Sequence, residues 1–164
     1  MLEDPHLVRP VDVDQPRADL VVTHGAHAAR LWMGGAHALR GEAIEIETAR
    51  RSWIIDCAGD VENAYREAAG RFLPIVFLDV EEQPSAFNRI REIASEVAAR
   101  LALHEPGQSA YVLCTHGMNR SGLVTGLVLR ELGYGPEETV RLIRAARPGS
   151  LSNHTFVRLL GATP

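Results

Sequence analysis

Apolar positions along the chain follow two rhythms. Short apolar runs of single-strand length fall at residues 18–23, 30–33, 52–57, 72–79 and 110–113, and each predicts a strand. The run 52–57 (SWIIDC) ends at a turn over Ala58, Gly59 and Asp60, and the run 72–79 (FLPIVFLD) carries a proline near its start. Between the runs, apolar residues recur at spacings of three and four. Phe87, Ile90, Ile93, Val97 and Leu101 mark one helical face, with Arg and Glu between them and Pro84 placed for a first turn. Further helices are predicted at 61–69, 122–132, 136–146 and 153–160, with Gly133 ending the second of these and Arg147-Pro148-Gly149 the third. Strands alternating with helices predict one α/β domain with a central, mostly parallel sheet of four or five strands flanked by helices. Residues 1–17 are polar and proline-broken and read as an arm ahead of a domain spanning 18–164.

Composition narrows the function classes. The chain has 164 residues, 46% hydrophobic and 23% charged, which is globular. Its formal net charge is −4 and its 17 basic residues are all arginine. That balance argues against a general nucleic-acid or membrane-surface binder. Neither a signal peptide nor a membrane span is visible, so a cytoplasmic protein is expected. The two cysteines, Cys57 and Cys114, are too few for a disulfide framework or a structural zinc site. His24, His27 and His37 gather in a Gly/Ala-rich stretch without Cys or carboxylate at familiar ligand spacing. No metal and no cofactor are expected.

The stretch that carries chemistry is YVLCTHGMNRSG, residues 111–122. It reads strand, loop, helix. Thr115, His116, Gly117, Met118 and Asn119 lie between Cys114 and Arg120. A loop of this length can turn its backbone N–H groups inward and, with the positive end of the helix, cradle a dianion. Gly117 lets the backbone turn where other residues resist. Arg120 offers a planar fork for two phosphoryl oxygens. The same positive field favours a thiolate at Cys114, a nucleophile aimed at phosphorus. Ser121 is placed to donate a hydrogen bond to that sulfur as it leaves. From this composition, Cys-x-x-Gly-x-x-Arg-[Ser/Thr] arises by chance in roughly one or two chains in a thousand. A buried Cys before a helix-capping loop is therefore the weaker reading.

The segment resembles the signature loop, Cys-x5-Arg-[Ser/Thr], of cysteine-dependent protein phosphatases. Over roughly residues 20–160 the chain is similar to their small dual-specificity group. RLWMGGAHAL (30–39) resembles that group's early strand and turn, 52–58 its second core strand, and RPGSLSNHTFVRL (147–159) its closing segment. The resemblance implies a phosphatase acting on phosphorylated protein, on phosphotyrosine and also on phosphoserine or phosphothreonine. It also implies a general acid, later general base, on a loop ahead of the cysteine. Asp79, 35 residues before Cys114, matches it, with Glu81 and Glu82 as substitutes. An exposed loop carboxylate is the plainer alternative for Asp79. The family usually has His before the nucleophile, and here the residue is Leu113. The loop spelling from Cys114 to Arg120 is also similar to RNA 5′-triphosphatases of the superfamily. RNA, other small phosphates and phosphoinositides are thus alternative substrates, and a phosphate-binding pseudophosphatase is a third reading. Phosphoinositide phosphatases of the superfamily have a Cys at the strand end matching Cys57, which implies a reversible disulfide with Cys114. The alternative for Cys57 is a small buried hydrophobe. His116 either faces substrate or caps the loop, and Asn119 is expected to pin the loop. Arg147 is either a second anion contact at the rim or a helix-end charge.

Overall fold

A strand that is apolar on both faces has to be covered on both. In the computed structural model, which describes residues 18–35 and 45–164, this rule organises the chain. The arm at 1–17, His37 and the rest of the predicted turn after Gly35 lie outside the described residues. The strands are β1 (Ala18–His24), β2 (Ala29–Gly35), β3 (Trp53–Asp56), β4 (Arg71–Pro74) and β5 (Ser109–Cys114). They form one five-stranded sheet in the order β1-β2-β5-β3-β4. β1 runs antiparallel to β2, and the other pairings are parallel. Side chains alternate across the sheet. Tyr111 and Leu113 of β5 and Ile54 of β3 pack on one face, under the helices α1 (Ile46–Arg50) and α2 (Asn63–Ala68). Val112, Cys114 and Ile55 face the larger core on the other side.

Four helices cover that second side: α3 (Phe87–Leu101), α4 (Arg120–Glu131), α5 (Pro136–Ala146) and α6 (His154–Ala162). α4 is buried from Ser121 to Leu129, as expected of a helix apolar nearly all round. It ends in a Schellman motif: Gly133 is left-handed, with φ 100°, and the Gly133 and Tyr134 N–H groups return to the Arg130 and Leu129 carbonyls. α5 opens on Pro136, with Glu137 and Glu138 in its first turn. Among the described residues, no helix is long and apolar enough to cross a membrane.

Several boundaries depart from the sequence pattern for local reasons. The predicted strand 72–79 is regular only to Pro74. Its partner β3 ends at Asp56, whose buried carboxylate turns the chain by accepting the N–H groups of Ala58, Gly59 and Val61. Beyond Pro74 the chain stays extended, with Ile75 and Phe77 buried and Val76 and Leu78 exposed. The helix expected from Pro84 begins at Phe87, because residues 84–86 form a turn closed by the Phe87 N–H on the Pro84 carbonyl. The helix expected from Val61 begins at Asn63, since Val61 belongs to the Asp56 turn. α4 starts two residues earlier than its apolar pattern, taking in Arg120 and Ser121. α1 has no counterpart in the sequence reading, because five residues are too few to display a helical period.

The loop after β5 lies directly on the end of β2. A Cβ on Gly117, whose φ is +71°, would sit 2.3 Å from the Gly34 carbonyl carbon and 2.4 Å from the Gly35 nitrogen. A Cβ on Gly35 would sit 2.7 Å from the Thr115 oxygen. Backbone therefore meets backbone, and glycine is required on both sides. Gly117→Ala is expected to lower unfolding stability by more than about 1 kcal/mol in a denaturant titration. No loss of stability would contradict this contact. In the core, Ile93 is fully buried, and Ile93→Ala is expected to cost about 2–5 kcal/mol by the same measurement. A smaller effect than Ile→Val normally causes would remove Ile93 from the core.

Candidate active site

Parallel strands place their C-terminal ends, and the loops that follow, at one edge of the sheet. Here β5 ends in Cys114, β3 is followed by Cys57 to Asp60, and the extended chain after β4 arrives at Asp79. Asp79, Cys114, His116, Met118, Asn119 and Arg120 line one cavity of about 270 Å³ together with Gly149 and Ser152. The residues singled out for chemistry are thus brought together, with Ser121 and Cys57 buried behind the cavity wall.

Cys114 is 3% exposed. Its Sγ accepts the Gly117 N–H at 3.2 Å, and Ser121 Oγ lies 3.2 Å away on the other side. The sulfur thus has a backbone donor, the Gly117 N–H, on one side and a hydroxyl, Ser121 Oγ, on the other. Arg120 directs one nitrogen to Thr115 Oγ1 at 3.2 Å and the other towards the Phe77 carbonyl at 3.4 Å. Thr115 in turn donates to Asp60 Oδ2 at 3.0 Å. The other carboxylate oxygen of Asp60 is buried with no hydrogen-bond partner among the described residues. The sequence pattern marks Asp60 only as a turn residue. Its link to the loop spans 55 positions, which no local spacing announces.

Asp79 sits at the mouth, held by two side-chain amides. Asn119 Nδ2 donates to Oδ2 at 2.9 Å, and Asn153 Nδ2 donates to Oδ1 at 3.0 Å. Asn119 does more than pin its own loop. Its Oδ1 accepts the Asn153 N–H and the Ser152 hydroxyl, so it ties the loop to the segment before α6. Asn153 divides its side chain between two tasks. Its Oδ1 caps α6 by accepting the Phe156 N–H, and its Nδ2 reaches Asp79 and the Val80 carbonyl. Of these two tasks, the sequence pattern predicts only the helix start at Asn153.

Arg147 is the residue that caps the end of α5, as the helix-end expectation has it, but it is buried, 1% exposed, and makes no contact at the cavity rim. It donates to the Gly117 carbonyl at 2.8 Å and the His116 carbonyl at 3.2 Å, and pairs with Asp19 at 2.7 Å. Hydrogen bonds from an ionised donor contribute about 1.5–3 kcal/mol each. Next to it, Leu151 is held in a left-handed conformation, φ 59°, and its N–H donates to the Met118 carbonyl. A non-glycine residue in this region costs of order 1–3 kcal/mol and is kept only where surrounding contacts enforce it. Buried Leu151, packed beside Gly122, meets that condition.

The remaining sequence candidates have defined places. His116 is exposed and lines the cavity. Leu113, at the position of the family's histidine, is fully buried on the α1/α2 side and points away from Cys114. Cys57 is fully buried, and burial, reinforced by Cys114 and Asp56, pushes its thiol well above the usual range. His24 bonds the Tyr134 hydroxyl at 3.0 Å, and His27 packs edge-on against His104.

No family model matches the sequence, and no curated protein matches it. Solved structures do match. Human DUSP28 superposes with a TM-score of 0.62 at 18% identity, covering 79% of this chain and 84% of that one. DUSP15 gives 0.64 at 17% identity, covering 89% and 86%. The human tyrosine phosphatase-like serine/threonine/tyrosine-interacting protein gives 0.65 at 12% identity, covering 89% and 94%. With its five-stranded mixed sheet, its flanking helices and a Cys-x5-Arg loop at the sheet edge, the chain has the fold of the small dual-specificity phosphatases.

Proposed function

We propose that the domain is a phosphatase of the dual-specificity type, hydrolysing phosphomonoesters in proteins through a cysteinyl-phosphate. The reading is carried by one observation: Cys114, Arg120 and Asp79 border the same cavity, with Gly117 N–H and Ser121 Oγ both 3.2 Å from the sulfur. The mechanism is two in-line displacements that use no metal. In the first, Cys114 Sγ bonds to phosphorus while the ester P–O bond breaks, and the leaving oxygen takes a proton from Asp79. Loop amides and Arg120 stabilise the equatorial oxygens as charge builds. In the second, Asp79 takes a proton from water, the water oxygen bonds to phosphorus, and the P–S bond breaks. Ser121 donates to the departing sulfur. Asn119 and Asn153 orient the Asp79 carboxylate, which makes them positioning residues.

Among the described residues, the cavity is lined by the His116 ring and by no Phe, Tyr or Trp. The RNA 5′-triphosphatase reading rests on the loop spelling alone. A triphosphate end is highly anionic, whereas among the described residues the lining offers Arg120, the His116 ring and the Asp79 carboxylate. A phosphorylated protein is the better match. Cys114→Ser is expected to abolish turnover of an aryl phosphate. Asp79→Asn is expected to slow it by at least roughly a hundredfold, with binding of the substrate retained. Full activity in Cys114→Ser would end this mechanism.

The same reading includes redox protection of the nucleophile. Asp56 pairs with Leu113 at the end of β3, and the Cys57 N–H donates to the Leu113 carbonyl at 2.8 Å, so Cys57 follows directly alongside Cys114. Adjacent strands lie about 4.8 Å apart, within the Cα range a disulfide spans. Both cysteines are free and buried. Hydrogen peroxide converts Cys114 to a sulfenic acid. The Cys57 sulfur then attacks it, water leaves, and a disulfide forms. After peroxide treatment, non-reducing peptide mapping is expected to find the Cys57 and Cys114 peptides linked. Recovery of Cys114 only as sulfinic or sulfonic acid would refute the pairing.

A further inference from the structure

A second cavity, of about 600 Å³, opens at the other end of the parallel strands from Cys114, where β2 and β5 begin. That volume is typical of small-molecule sites. Its floor is ordered by strand register. Arg30 pairs with Ser109, and two residues along, Trp32 pairs with Tyr111. Residues two apart share a face and lie about 6.6 Å apart along the strand. A cationic rung therefore stands beside an aromatic rung. The Trp32 and Tyr111 rings are stacked, with centroids 5.5 Å apart and planes 12° from parallel.

Among the described residues, the charged groups of the lining are Arg30 and Arg51, with no Asp or Glu beside them and with the His27 ring nearby, in a chain whose net charge is −4. Thr48, Gln108 and Ser109 add uncharged hydrogen-bonding groups. The Trp32 indole N–H is buried and has no hydrogen-bond partner among the described residues. Buried donors are normally satisfied, and an unpaired one calls for an explanation. Burial pushes the Tyr111 phenol up while the Arg30 charge pulls it down, so these two groups lie within electrostatic reach of each other.

Cations, hydrogen-bonding groups and an aromatic wall in one cavity match a ligand with a phosphate, hydroxyls and a flat ring. The step between the two rungs is comparable with the reach from a base across a sugar to its phosphate. We propose that this cavity is a binding site for a small aromatic phosphate of the nucleoside monophosphate class, with Arg30 and Arg51 on the phosphate and the Trp32–Tyr111 pair along the ring. The site is separate from the Cys114 loop and does not depend on the chemistry proposed there.

The chain contains two tryptophans, so Trp53→Phe leaves Trp32 as the reporter. In a Cys114→Ser, Trp53→Phe protein, adenosine and guanosine 5′-monophosphate are expected to change Trp32 fluorescence saturably. Affinity is expected to fall at least tenfold when Arg30 and Arg51 are both replaced by Gln, and to be unchanged by Arg120→Ala. Inorganic phosphate and adenosine are each expected to bind at least tenfold more weakly than the nucleotide. If circular dichroism finds the Trp53→Phe protein unfolded, equilibrium dialysis on Cys114→Ser makes the same comparisons. No saturable binding would overturn the proposal. So would equal binding of inorganic phosphate or adenosine, or loss of binding with Arg120→Ala.

Discussion

For a loop to aim its N–H groups at an anion, its carbonyls have to point the other way, and buried carbonyls need donors. In this chain Arg147 is that donor. Its guanidinium lies beneath the loop and takes up the His116 and Gly117 carbonyls, while Asp19 on β1 balances its charge. The Gly117 N–H is thereby free to face Cys114 Sγ. The clamp ties together three distant parts of the chain: the first strand, the loop after the central strand, and the segment between the last two helices. An arginine suits the task because its planar fork serves several acceptors at once and stays charged.

Around the clamp, the rest of the site is assembled from neutral amides and hydroxyls. Asn119 and Asn153 hold Asp79 over the cavity, and Thr115 links Arg120 to Asp60. The segment from Arg147 to Asn153 contributes a guanidinium, a backbone N–H from strained Leu151 and two polar side chains to this network. It therefore serves as the outer wall of the loop as well as a connection between helices. The family's histidine position is occupied by Leu113, which packs under α1 and α2. Order in the loop comes instead from the arginine below and the asparagines beside it.

The fold alone is shared with proteins whose names include both phosphatases and a phosphatase-like interacting protein. What distinguishes a hydrolytic reading here is local: a sulfur with two hydrogen-bonding neighbours, an arginine at the same cavity and a carboxylate across its mouth.

The sequence by itself determined the alternation of strands and helices and the spelling of the loop from Cys114 to Arg120, which are written in residues close together in the chain, where periodicity and spacing can be read; Asp79, 35 positions from Cys114, is suggested by the family resemblance. The antiparallel first strand, the early end of β4 and the helix α1 were beyond that reading, because a pairing partner or a very short segment decides them. The tertiary structure alone decided the role of Arg147, the double duty of Asn153, the link from Asp60 to Thr115 and the stacking of Trp32 on Tyr111. Those partners lie 31, 74, 55 and 79 positions apart in the chain. In the loop, the acceptors that Arg147 takes up are backbone carbonyls, which every residue carries, and its Asp19 partner lies 128 positions away. Contacts at such separations leave no signature in local side-chain pattern, so only folding reveals them.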